Sequence, residues 1–228
     1  MELREERAGR LIITADDWGY SRRYDAGIAE AAGAGAIDSV SAMVLRDCDP
    51  APLRDCGVEV GLHLEQAGTT SQAELLDEPR RQVDAFTRLF GAPPAYIDGH
   101  HHCHAAAPLA APAEDLALEL GVPLRAAGED HCFRLDERGI AHPDRLVGRI
   151  SEHEPALPLL LSEALAAETL PWGITEWIVH PGYTDPASGS DYDTGREEDL
   201  ELVLRLAGDQ FLRPARATHR EALSSAVR

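Results

Sequence analysis

Four short apolar runs in this chain each lead to a side chain that can bind a cation or carry a proton, and this restricts the folds open to it. Arg10-Leu11-Ile12-Ile13-Thr14-Ala15 runs into Asp16-Asp17-Trp18-Gly19, and Val58 to Glu65 carries His63. Tyr96-Ile97-Asp98-Gly99 leads into His100-His101-His102-Cys103-His104, and Ile174 to Tyr183 contains His180-Pro181-Gly182. Alternating β/α folds place their chemistry at the C-terminal ends of strands.

Helical patterns lie between these runs. Strands are expected at about Arg10 to Ala15, Ser39 to Leu45, Val58 to Leu64, Ala95 to Asp98, Val122 to Arg125 and Thr175 to His180. Helices are expected at Tyr24 to Gly33, Glu74 to Phe90, Ala113 to Leu120, Leu157 to Leu170 and Glu197 to Leu206. In the second of these, Leu75, Leu76, Val83, Phe86, Leu89 and Phe90 recur at helical spacing. Thr218-His219-Arg220-Glu221 has the form of a capping box opening a last helix. Glu129 to Pro155 reads as irregular, and Thr184 to Thr194 as a loop that can cover a site. Strands alternating with helices point to a parallel α/β fold. No glycine-rich phosphate loop follows the first strand, so the expected architecture is a distorted or incomplete β/α (TIM-like) barrel rather than a nucleotide-binding sheet. The 228 residues suit a single domain, 1–228.

The polar residues then define the candidate chemistry. Adjacent carboxylates at a strand end are costly unless paired, protonated or holding a cation. In a regular strand Asp16 and Asp17 would face opposite ways; a break, which Gly19 makes feasible, would bring them to one site. If the histidine run is extended, His100, His102 and His104 share one side and His101 the other. Clustered imidazoles joined by carboxylates from elsewhere suggest a metal centre, with one of His100, His102 and His104 as a ligand. Arg125 can tether Asp16, bind substrate or form a plain salt bridge, and Glu176 can orient a neighbour or pair with arginine. His131, His142, His153 and His219 fall in polar stretches and are expected in solvent.

Composition narrows the function. The formal net charge is −19, and all 21 basic residues are arginine. The absence of lysine removes Schiff-base chemistry, and the acidity argues against nucleic acid and anionic membranes as partners. The four cysteines form no C-x-x-C pair and read as free thiols. Residues 1–7 lack the apolar core of a signal peptide, and no apolar stretch approaches the roughly 20 residues that span a bilayer. The expected location is cytoplasmic. The oligomeric state is open, a homo-oligomer included.

Read together, these motifs resemble the YdjC/ChbG-like carbohydrate deacetylases, a family with a hopanoid-biosynthesis branch. The resemblance rests on Thr14 to Gly19, Ala26-Gly27-Ile28, Gly35 to Met43, Gly61-Leu62-His63-Leu64, Ile97 to His104 and Glu176 to Tyr183, in the family's order. Trp18 stands where the family usually has Phe, and Gly99 where Ser is common. The resemblance implies a barrel-like β/α fold of the glycoside hydrolase/deacetylase type, one divalent ion, magnesium by family, and hydrolysis of an N-acetyl group on an amino sugar or short oligosaccharide. Position by position, it implies Asp17, His63 and His100 as metal ligands, Asp16 as general base and His180 as the second acid–base group. His102 and His104 are then candidates to orient ligands or substrate, as are Arg125 and Glu176. Mixed nitrogen and oxygen donors also suit zinc or another transition metal. Two other readings stand beside this one: a metal-dependent phosphoesterase or amidohydrolase, and a metal- or sugar-binding module without catalysis.

Overall fold

The computed structural model describes residues 9–66, 68, 71–149 and 153–223; residues 1–7, read above for a signal segment, lie outside them. Six strands form one parallel sheet curled into a half-barrel: β1 (Arg10–Trp18), β2 (Ser39–Ala42), β3 (Glu59–Leu64), β4 (Ile97–Gly99), β5 (Arg145–Val147) and β6 (Ile174–Val179), in the order β4-β3-β2-β1-β6-β5. The expected incomplete β/α barrel is therefore what forms. The connections carry α1 (Arg22–Gly33), α2 (Gln72–Phe90), α3 (Ala110–Leu120), α4 (Glu129–Arg138), α5 (Leu159–Ala167), α6 (Gly195–Leu206), α7 (Leu212–Ala215) and α8 (His219–Leu223).

Strand alternation divides the sheet into two chemically different faces. On the outer face Leu11, Ile13, Ala15, Val40, Leu62, Leu64, Trp177 and Val179 join one large core with the helices. Each of the leucines, isoleucine and valines among them contributes roughly 1.5–3 kcal/mol by leaving water. On the inner face Ile12 and Ile174 meet Ala217, Ala222 and Leu223 in a small second cluster, so α8 closes the N-terminal end of the half-barrel. Above that plug the inner face turns polar: Thr14, Asp16, Ser39, Ser41, His63, Asp98 and Glu176 are all buried. Helix α8 opens on the expected capping box: Glu221 N–H donates to Thr218 Oγ1 at 3.3 Å and Thr218 N–H to Glu221 Oε2 at 3.0 Å.

Several expected elements differ from those observed. Val122 to Arg125 forms only an isolated bridge, Leu124 to Ile97, although Ile97 N–H reaches Pro123 O and Arg125 N–H reaches Ile97 O. Pro123 has no N–H to extend the ladder. Glu129 to Pro155, read as irregular, contains α4 and β5. Helix α4 buries only His131 and Leu135, too sparse an apolar stripe to read from sequence. Strand β2 stops at Ala42 rather than Leu45, and β1 continues to Trp18. Remaining boundaries shift by up to three residues, and helix ends fray at this scale. No helix among the described residues is long and apolar enough to cross a membrane.

Candidate metal centre

The pairing of β1 with β2 slips between Ala15 and Trp18, and Asp17 takes a left-handed φ of 73°. The break that brings both carboxylates to one side thus falls on Asp17 itself, not only on Gly19 (φ 94°). An aspartate tolerates this conformation better than most residues. Asp25 secures the turn, accepting from Gly19 N–H at 2.7 Å. Asp16 Oδ2 and Asp17 Oδ1 then lie 3.9 and 3.4 Å from His63 Nε2.

His63 and Asp98 are direct partners across β3 and β4, so their side chains share a face. Asp98 Oδ1 sits 2.7 Å from His63 Nδ1, while its Oδ2 accepts from Ser41 Oγ at 2.6 Å. Burial alone would depress the His63 pKa, but Asp98, Asp16 and Asp17 overcome it and push it up to about 10. A positive charge is therefore held where a cation would sit.

The histidine run is not a strand. It is a tight 3-10 segment, His100–Ala105, with His101 and His102 in left-handed conformation (φ 51° and 54°). The expected common side for His100, His102 and His104 does not form. His100 Nδ1 lies 3.0 Å from Asp17 Oδ1. His104 is buried elsewhere, with its Nε2 2.9 Å from Arg125 O, and burial followed by the Arg125 charge holds it well below the usual histidine range. His102 is half-buried, and the same two causes lower it. Cys103 turns its thiol to Leu64 O at 3.1 Å. Gly99 leaves little room for a side chain: a Cβ there would come within 2.9 Å of Cys103 Sγ and 3.0 Å of His104 Nδ1.

Arg125 lies buried among three carboxylates. It grips both oxygens of Asp16 (2.7 and 2.9 Å), contacts Asp98 at 2.7 Å and donates to Glu176 Oε1 from Nε and Nη2 (3.1 and 2.8 Å). Of the readings left open, Arg125 tethers Asp16, and Glu176 pairs with arginine. Burial would raise Asp16, yet Arg125 and then His63 bring it below the ordinary carboxylate range. Glu176 is lowered in the same way by Arg125 and His219.

His219 is not solvated as expected. It is buried, stacked on Tyr96 with ring centroids 3.7 Å apart, and its Nε2 lies 3.3 Å from Glu176 Oε1. His131 is buried too, with Nδ1 accepting from Ala127 N–H at 3.1 Å, and the His142 side chain is 8% exposed. Only His153 matches the solvated expectation. These histidines sit in polar sequence but pack against buried carboxylates or backbone, which local composition does not reveal.

His180 follows β6, its backbone N–H bonded to Asp199 Oδ2 at 2.9 Å and its ring centroid 4.9 Å from that of Tyr192. Its Nδ1 is buried with no protein partner, and burial lowers its pKa against the pull of Asp17. The loop after it is fastened to α1, since Tyr24 bonds Ser188 and Asp193, and Arg23 bonds Thr184 O. Sequence reasoning missed Asp98, Ser41 and Arg196. Asp98 carried the same signal as the others, a carboxylate at a strand end; Ser41 and Arg196 reach the site only through tertiary packing.

Among the described residues, two groups of donor atoms lie close enough to share a cation: Asp17, His63 and His100, and Asp16, His63 and Asp98. In the second, Arg125 already bonds both carboxylates. The first offers two ring nitrogens and one oxygen from three strand ends. This donor set fits a divalent cation with positions left open. His63 also has the carboxylate partner that typically orients a ligating histidine.

A family model described as YdjC-like protein matches residues 10–70 and 62–214. The chain is 30% identical to a chitooligosaccharide deacetylase of Serratia marcescens over 152 residues, which is 53% of this chain and 60% of that protein. It is 26% identical to a carbohydrate deacetylase of Mus musculus (79% of this chain, 81% of that protein) and to a chitooligosaccharide deacetylase of Proteus mirabilis (86% and 90%). Among solved structures, an Enterococcus faecalis protein described as a candidate cellobiose-phosphate cleavage protein superposes with a TM-score of 0.74 at 21% identity, over 95% of this chain and 99% of that one. The Xyl-CE4 domain of a multidomain xylanase from the hindgut metagenome of Trinervitermes trinervoides gives 0.53 at 9% identity, over 96% and 91%. Both likenesses are of fold.

Proposed function

This chain belongs to the YdjC-like family, and from that premise we propose that it is a metal-dependent carbohydrate deacetylase removing the N-acetyl group of an amino sugar or short chitooligosaccharide. The observation that carries the reading is the position of Asp17 Oδ1, 3.4 Å from His63 Nε2 and 3.0 Å from His100 Nδ1, beside an Asp16 gripped by Arg125. The names of the bacterial and mouse relatives supply the substrate class.

Asp17, His63 and His100 would hold one divalent ion, which polarises the amide carbonyl and lowers the pKa of bound water. Two imidazoles with one carboxylate favour zinc, cobalt or a similar ion over the magnesium that the family resemblance implies. Asp16 accepts the proton of the attacking water. Arg125 fixes both its oxygens and keeps it ionised at neutral pH. His180 is the second acid–base group: held neutral by burial, it would take over the proton that Asp16 accepts from water and deliver it to the leaving amine. Acetate and a free amino sugar result.

A two-metal phosphoesterase is less well supported. Its second ion would have to use Asp16 and Asp98, both already ion-paired with Arg125. The test is acetate release from N,N′-diacetylchitobiose and other N-acetylated sugars, with metal-supplemented and chelated enzyme compared. Metal-dependent release is expected. Hydrolysis of phosphate esters with no acetate released from any of these sugars would overturn the reading.

A further inference from the structure

Arg196 lies at the start of α6, fully buried, and the chemistry above gives it no task. Its Nη2 donates to Asp17 Oδ2 at 2.6 Å and its Nε to Tyr192 O at 2.8 Å. The guanidinium carbon lies 3.7 Å from the centroid of the Tyr24 ring and 5.6 Å from that of Tyr192. Gly182 packs so closely that a Cβ there would come within 3.3 Å of Arg196 Cδ and 3.0 Å of Tyr24 Cα. The side chain is therefore held at Cδ, Nε and Nη2, while Nη1 is buried without a protein partner.

The two oxygens of Asp17 thus have separate partners. Oδ1 faces His63 Nε2 and His100 Nδ1, and Oδ2 faces only Arg196 among the contacts described. A carboxylate can bind a cation through one oxygen or both. Chelation by Asp17 would break a short, buried, charge-assisted hydrogen bond.

We propose that Arg196 is a positioning residue that keeps Asp17 a one-oxygen ligand, so that a coordination position of the bound cation stays open to water and substrate. The proposal rests on the metal-centre reading above. It fixes a sign. An arginine that merely oriented its ligand would, when removed, weaken metal binding by about 10–100-fold. An arginine that withholds an oxygen and opposes the cation's charge does the reverse: without it the ion gains a donor and loses a repulsion, and turnover falls.

Cobalt(II) is the probe, added as the chloride to metal-free wild type, Arg196→Met and Arg196→Lys. In Arg196→Met the cobalt Kd should stay level or fall, the visible absorption bands should lose intensity as coordination number rises, and acetate release should drop. Arg196→Lys, which keeps a cationic donor, should move the spectrum back towards wild type. Should Arg196→Met fail to fold, Arg196→Gln gives the same readout with a polar, neutral side chain. A wild-type spectrum in the neutral variant, or a 10–100-fold loss of cobalt affinity, overturns the proposal. Wild-type protein that binds no cobalt overturns the metal-centre reading itself, and the role of Arg196 with it.

Discussion

His63 Nδ1 lies 2.7 Å from Asp98 Oδ1, and this contact turns Nε2 towards Asp17. The pair comes from directly opposed positions on β3 and β4, so the sheet register sets which nitrogen faces the candidate metal. Replacing His63 by alanine removes one of the three donors without touching the outer core. Metal affinity should fall by at least about 100-fold, with far-UV circular dichroism unchanged. Calorimetry finding wild-type affinity in this variant would remove His63 from the site.

The raised pKa of His63, about 10 in the metal-free protein, predicts competition between proton and metal. A divalent ion must displace that proton, so binding weakens as pH falls, by about tenfold per pH unit for one proton. Calorimetric titrations in buffers of different ionisation enthalpy should report one proton released per ion near neutral pH. A buffer-independent enthalpy would contradict this. The same shift governs the metal-free fold: the folded pKa exceeds the unfolded value near 6.5, so the stabilisation is complete below about pH 6.5 and is lost as pH rises through about 10.

Arg125 is ion-paired with Asp16, Asp98 and Glu176 in the interior. Arg125→Met leaves buried carboxylates without their partner, and such losses cost about 3–5 kcal/mol. At roughly 2–4 °C per kcal/mol for a chain of this size, the melting temperature should drop by about 10 °C. Arg125→Lys, which keeps the charge but not the fork, should fall between. A melting temperature within about 2 °C of wild type in the methionine variant would mean that the carboxylates find other partners.

Burial, followed by the charge of Arg134, lowers His131 to about 4. An unfolded histidine titrates near 6.5, so the unfolded chain binds the extra proton first as pH falls. The contribution of His131 is complete above about pH 6.5 and is lost on acidification towards about 4. Asparagine at this position keeps an acceptor for Ala127 N–H but does not titrate. Urea unfolding at neutral and mildly acidic pH should show His131→Asn losing less stability on acidification than wild type; equal losses would contradict the assignment.

What the sequence made legible was whatever is local. Asp16-Asp17, His63, the histidine run and His180 stood at strand ends that could be read from apolar runs, and the half-barrel followed from their alternation with helices. A break near the paired carboxylates was legible from Gly19, but not that Asp17 itself would take the left-handed conformation, nor the left-handed turns at His101 and His102, because tertiary packing selects which residues adopt them. Arg196 reaches Asp17 across 179 positions, and His219 reaches Glu176 from the last helix. Contacts between elements so far apart leave no periodicity or spacing to read.

The most direct test of the account is the position of a bound ion. Crystals grown with cobalt should give one strong anomalous peak, bound by Asp17 Oδ1, His63 Nε2 and His100, with Arg125 still bonded to Asp16 and Asp98. A peak between Asp16, His63 and Asp98, or no peak at either cluster, would contradict it.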